Sequence, residues 1–154
     1  MQTGMNTLKK PSQSTQKNSE QAAAAVIFDA HAWVEYALDS PNAELIAEKL
    51  SSAQQALTPA TVLGELKEAM LRHRIPRQKI SAILHYIKNK SVIINIDAEI
   101  AEKAGEINFK NKKNIKDWGM LDSIVYAVAV IKKGQVITGD PHFKNLRNVR
   151  YIGK

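Results

Sequence analysis

The sequence predicts an α/β fold, a central, mostly parallel sheet flanked by helices on both faces. Three observations carry this. Short apolar, partly β-branched runs (AVIFDA, SVIINI, QVITG) recur along the chain. The stretches between them are amphipathic or apolar at helical spacing and too long for hairpins, which favours parallel strands joined by right-handed crossovers. Two of the runs, AVIFD and VITGD, end in an aspartate, Asp29 and Asp140. Open α/β sheets bind their ligands at the carboxyl ends of their strands.

The elements follow in order. Residues 1–22 are rich in Gln, Ser, Thr, Asn and Lys with no apolar period, so a disordered tail is expected there. Residues 23–154 are expected to form a single domain, since a chain of 154 residues with 44% hydrophobic side chains fits one core. AVIFDA reads as a buried strand. Ala32 to Leu38 is a short helix stopped near Ser40-Pro41, and Ala43 to Ala53 (AELIAEKLSSA) is an amphipathic one. Gln55 to Leu57 is a second short strand. Thr58-Pro59 then opens a helix, with Thr58 as N-cap and Pro59 in the first turn. That helix runs to about Arg74, and another covers Arg77 to Lys88. SVIINI is a strand, and Asp97 caps a helix that reaches about Phe109. Residues 110–118, KNKKNIKDW, form a basic loop. A very apolar helix spans Met120 to Lys132 and is ended by Gly134. QVITG and NVRYI are the last strands.

Composition excludes several classes. Cysteine is absent, so disulfides and thiolate zinc sites are impossible, which suits a reducing cytoplasm. No apolar run reaches the length of a membrane span, and MQTGMNTLKK lacks the apolar core of a secretory signal. A cytoplasmic protein with no membrane partner is therefore expected. There is no G-x-G-x-x-G after the first strand, no Walker GK[ST] and no G-x-S-x-G. A haloacid-dehalogenase phosphatase would want a second Asp at position 31, where this chain has His31. The formal net charge is +7, and Lys9, Lys10, Lys17 and Glu20 make the tail only +2 of it. The remainder keeps +5, which suits a polyanionic partner.

Against this basic background stand four carboxylates delivered by apolar segments: Asp29, Glu65, Asp122 and Asp140. Each has an ordinary alternative. Asp29 can cap the next helix, and Gly139-Asp140-Pro141 is turn chemistry. Glu65 borders the stripe of Val62, Leu66 and Ala69, at the core edge or on a solvated flank. Asp122 is the sharpest case. In MLDSIVYAVAVI it shares a face with Val125 and Ala129 on a helix apolar nearly all round, and no Lys or Arg neighbours it there. Grouped carboxylates repel and raise one another's pKa values, and a hard divalent cation relieves this. Such a centre suits phosphodiester hydrolysis.

The motifs AVIFDAHAWVEY, TPATVLGELKEAM, MLDSIVYAVAV and VITGDPHFKNLRNVRYI, in that order, resemble those of PIN-domain nucleases, most of all VapC-type toxins and their archaeal relatives. The resemblance covers about residues 24–152. It implies a Rossmann-like three-layer sandwich and a Mg²⁺- or Mn²⁺-dependent ribonuclease whose acidic quartet falls on Asp29, Glu65, Asp122 and Asp140. It also implies an RNA substrate, a small antitoxin partner that inserts an Arg among the acids, and a homodimer. The alternative is a non-catalytic PIN-like module that binds RNA within a processing assembly. His31 departs from the family, which commonly has a small hydroxyl or amide residue there, and His142 stands where some members have Asp. His31 is expected in a supporting polar role. Thr138 matches a hydroxyl often seen before the last Gly-Asp. Asp117 is a further acidic group, expected to cap a helix.

Two basic clusters complete the reading: Arg72, His73, Arg74, Arg77 and Lys79 around Pro76, and Lys110, Lys112, Lys113 and Lys116 before the Asp122 helix. Either can neutralise phosphates, although any one residue is as ordinary on a solvated surface. Trp33 and Tyr36 are expected to pack, and Trp118 can stack a base.

Overall fold

The computed structural model describes residues 25–154, so the expected tail at residues 1–22 lies outside the described residues. Five strands form one sheet: β1 (Ala25–Phe28), β2 (Gln55–Pro59), β3 (Val92–Ile94), β4 (Gln135–Thr138) and β5 (Val149–Tyr151). Their spatial order is β3-β2-β1-β4-β5, and every pairing is parallel. The six helices are α1 (Ala30–Ala37), α2 (Ala43–Ser52), α3 (Ala60–Arg72), α4 (Arg77–Lys90), α5 (Ala98–Asn111) and α6 (Met120–Lys132). A 3-10 turn, Pro141–Phe143, follows β4.

β1 is buried along its whole length, as expected of a central strand covered on both faces. Its Ile27 stands opposite Leu57 of β2 and Val136 of β4. Ile27, Phe28, Val128, Val136 and Ile137 are fully enclosed, and replacing Phe28 by Ala would cost roughly 3–5 kcal/mol. From β1 the chain builds outward through β2 to β3, then returns to lay β4 and β5 on the other side. That reversal separates the connections leaving β1 and β4. It opens a crevice at their carboxyl ends, where Asp29 and Asp140 lie. α6 buries Val125, Ala127, Val128 and Ala129 and packs along α5 and the sheet, carrying Asp122 to the same end. No helix among the described residues is long and apolar enough to cross a membrane.

Four local readings need correction. Thr58 does not cap α3. It belongs to β2, is fully buried, accepts a hydrogen bond from Trp33 Nε1 at 3.2 Å and shares one with Ser91 Oγ at 2.7 Å. The tertiary partners outcompete the cap, and Pro59 stands as the extended residue before the helix. Gly134 does not supply the left-handed stop of α6, since Lys133 does so at φ 51°. Gly134 is needed for close approach: a Cβ there would meet the Ala25 carbonyl oxygen at 2.7 Å. The basic loop begins later than expected, because α5 continues to Asn111. Within it Asp117 caps nothing. It is exposed at φ 60°, and Gly119 is the N-cap of α6.

Candidate metal centre

The crevice between β1 and β4 is built from the backbone outward. Asp29 N–H donates to Ile137 O at 3.2 Å, carrying the β1–β4 pairing one residue beyond the strand. Asp29 occupies the N-cap position of α1, but its side chain makes no capping bond. Its Oδ2 instead accepts from Thr138 Oγ1 at 2.7 Å. Thr138 is fully buried, and its Oγ1 also accepts from the Asp140 N–H at 2.9 Å. One hydroxyl thus ties the residue that ends β1 to the residue that follows β4. Asp140 Oδ1 accepts from the His142 N–H at 2.9 Å, closing the turn that Gly-Asp-Pro encodes.

Asp122 is the third residue of α6, and its Oδ2 accepts from the Gly119 N–H at 2.8 Å. Both the cap and the helix terminus favour its ionised form. Burial opposes them, and its pKa is raised, by burial first and with a contribution from Asp140. One ligand atom each from Asp122, Asp140 and His142 lies within 4.8 Å of the others, among the described residues. His142 Nδ1 is 3.3 Å from Asp140 Oδ1 and 3.5 Å from Asp122 Oδ2. It makes no hydrogen bond of acceptable geometry with either, so that buried nitrogen has no partner.

Asp29 and Glu65 stand outside that tight trio. Glu65 still shares its field. Burial, then the charges of Asp29, Asp122 and Asp140, push its pKa up from 4.5 to about 7. Its Oε2 is buried with no hydrogen-bond partner among the described residues. His31 is more than half exposed, with Nδ1 3.6 Å from Asp29 Oδ2, and that carboxylate raises its pKa. Among the described residues no Lys or Arg forms an ion pair with any of the four acids.

Two residues that shape the site were not read from the sequence in that role. His142 figured only as a departure from a motif, because its approach to Asp122 depends on the 3-10 turn folding back. Ser123 was not singled out. It is buried beside Asp122, accepts from Trp118 Nε1 at 2.6 Å and lies 3.0 Å from Gly119 O and 3.3 Å from Asn108 Oδ1. Trp118 is therefore a packing residue, buried against Phe143 at 5.1 Å between ring centroids, and it cannot stack a base. Trp33 is buried and Tyr36 half-buried against Tyr86, so both pack as expected.

The donor set suits a hard divalent cation. It is almost all carboxylate oxygen, and among the described residues no basic side chain other than His offsets it and nothing satisfies the buried Glu65 Oε2.

The architecture is shared with several solved structures. A toxin–antitoxin complex from Klebsiella pneumoniae is similar with a TM-score of 0.62 at 18% identity, over 81% of this chain and 95% of that one. VapBC2 from Rickettsia felis, bound to a DNA fragment of its promoter, gives 0.67 at 14%, over 84% and 98%. VapC20 from Mycobacterium tuberculosis, a toxin that cleaves the sarcin-ricin loop, gives 0.64 at 17%, over 80% and 96%. Identities this low speak to the fold alone. No curated protein matches the sequence. The PIN domain family is matched over residues 26–149, from the first residues of β1 to the start of β5, and the chain belongs to that family.

Proposed function

We propose that the chain is a Mg²⁺- or Mn²⁺-dependent endoribonuclease, the toxin of a toxin–antitoxin pair. The observation that carries this is that Asp29, Glu65, Asp122 and Asp140 share one field at one sheet end, where among the described residues no Lys or Arg pairs with them and the buried Glu65 Oε2 is unsatisfied. Membership of the PIN domain family supports the nuclease class.

In this reading Asp29, Asp122, Asp140 and Glu65 hold the cation. When bound, it would activate a water and offset charge developing on the scissile phosphate. The chain's own part is to hold the acids in place beforehand. Thr138 fixes Asp29 and the Asp140 backbone, Gly119 N–H fixes Asp122, and the 3-10 turn fixes Asp140. Such supporting bonds are what keep metal-binding carboxylates in a productive geometry.

Several structural neighbours are toxin–antitoxin complexes, which supports a small antitoxin as partner here. An Arg inserted among the acids would neutralise the crevice and block the substrate. A homodimer and a cytoplasmic location are part of the same reading.

The test is cleavage of RNA in Mg²⁺ or Mn²⁺ by the wild-type protein and by Asp122→Asn. The substitution is expected to lower the rate on the order of 100-fold or more. Cleavage that survives it would remove this site from the chemistry. RNA binding without cleavage by the wild type would favour the non-catalytic module.

A further inference from the structure

Phe109 is the most exposed of the chain's aromatic side chains among the described residues, at 71%. It lies in the last turn of α5, and the chain from it to Lys116 reads FKNKKNIK: four lysines and no acid. Lys113 Nζ sits over the Phe109 ring, 4.1 Å from its centroid. A lone apolar side chain on a surface is ordinary, but this ring stands among four lysines and carries one of them on its face.

The segment lies beside the crevice. Asn108, the residue before Phe109, has its Oδ1 3.3 Å from Ser123 Oγ, and Ser123 follows Asp122. The end of α5 and the acid-bearing turn of α6 are thus in direct contact.

We propose that Phe109 stacks a base of an unpaired nucleotide chain while Lys110, Lys112, Lys113 and Lys116 hold its phosphates, so that this rim guides single-stranded substrate across the acids. The proposal rests on the nuclease reading for its purpose, though not for its geometry. Charge selects the occupant. Four lysines against one exposed acid, Asp117, leave a net positive surface that repels a second copy of itself and attracts a polyanion. An open ring flanked by cations is the arrangement that grips single strands, since every base presents a π-face and every linkage a negative charge. A duplex keeps its bases stacked on one another and cannot offer one to the ring.

The full chain is titrated, in EDTA to prevent cleavage, with a fluorescent single-stranded RNA oligonucleotide and with the same sequence as a duplex, followed by anisotropy. Phe109→Ala should weaken single-strand binding roughly 5- to 100-fold and leave duplex binding nearly unchanged. Phe109→Trp should restore it. Lys112→Ala with Lys113→Ala should lower the slope of log affinity against log salt by about 0.7 per lost contact. Equal affinity of wild type and Phe109→Ala for the single strand would overturn the proposal. So would a dimer that becomes a monomer on Phe109→Ala, because the ring would then belong to a contact between copies. The same proteins are assayed for cleavage in Mn²⁺. A wild type that cleaves RNA while Phe109→Ala binds normally sinks this inference and leaves the nuclease standing. Phe109-dependent binding without any cleavage does the reverse.

Discussion

The two flanks of the acidic crevice are built differently. On the strand side, Asp29 and Asp140 are satisfied: each accepts a short hydrogen bond, and both meet at the buried hydroxyl of Thr138. On the helix side, Glu65 Oε2 is buried and unpaired, and His142 Nδ1 faces two carboxylates without bonding either. The first flank is ordered by the protein alone. The second is a standing cost that a ligand can relieve, because an unsatisfied buried polar atom is worth more to the partner that completes it. The fold has placed its rigidity at the strand ends and left its demand for a partner on α3 and the 3-10 turn.

That contrast breaks most sharply at Thr138. Thr138→Val keeps the shape and removes the hydroxyl, so Asp29 loses its donor and the Asp140 N–H its acceptor. The expected losses are about 2–3 kcal/mol of stability by denaturant melts and roughly 10- to 100-fold in RNA cleavage. A variant with unchanged rate would show that the strand flank needs no such tie.

Added Mn²⁺ tests the other flank. If the helix side awaits a cation, Mn²⁺ at about a hundredfold over its dissociation constant should stabilise the wild type by about 2.7 kcal/mol, seen as a rise in melting temperature. Asp122→Asn, on α6, should remove most of that rise. A melting temperature indifferent to Mn²⁺ would count against the centre.

Metal-free stability should also depend on pH, with a definite sign. Folded Glu65 keeps its proton to about pH 7, whereas the unfolded chain releases it near 4.5. The folded state therefore binds more protons across that window, and its stability falls as pH rises through it. Asp122 and His31, both raised, act in the same direction. Glu65→Gln should flatten much of the slope and be more stable than wild type above pH 7 by on the order of 1–2 kcal/mol. A slope that Glu65→Gln leaves intact would place the destabilising charge elsewhere. The smallest effect is expected at His31, which is more than half exposed: His31→Gln should change stability by less than about 0.5 kcal/mol.

What the sequence revealed follows the same division. Asp29 and Asp140 were legible at strand ends because an apolar run that stops at an acid is a local pattern. Asp122 was legible because a charge on an otherwise apolar helix has no local excuse. The parallel sheet was legible from the lengths between strands. Thr58 was misread because its hydroxyl answers to Trp33 and Ser91, which are 25 and 33 residues away, and no local rule contains them. Asp117 and Trp118 were misread for a related reason: the chain turns left-handed at Asp117, so Gly119 caps α6, and the indole goes inward to Ser123. Phe109 drew no notice as a ligand-facing residue, since in one dimension it is simply the apolar end of an amphipathic helix.

The Thr138–Asp29 bond spans 109 residues of chain. At ribosomal speeds of about 5–20 residues per second, β1 leaves the peptidyl-transferase centre many seconds before its neighbour β4 exists. Neither the Thr138 tie nor the Asp140 turn can form until the chain has been made past His142. A chain released before residue 138 would carry β1 and all six helices yet lack both the tie to Asp29 and Asp140 itself, so the two sides of the crevice come from early and late synthesis.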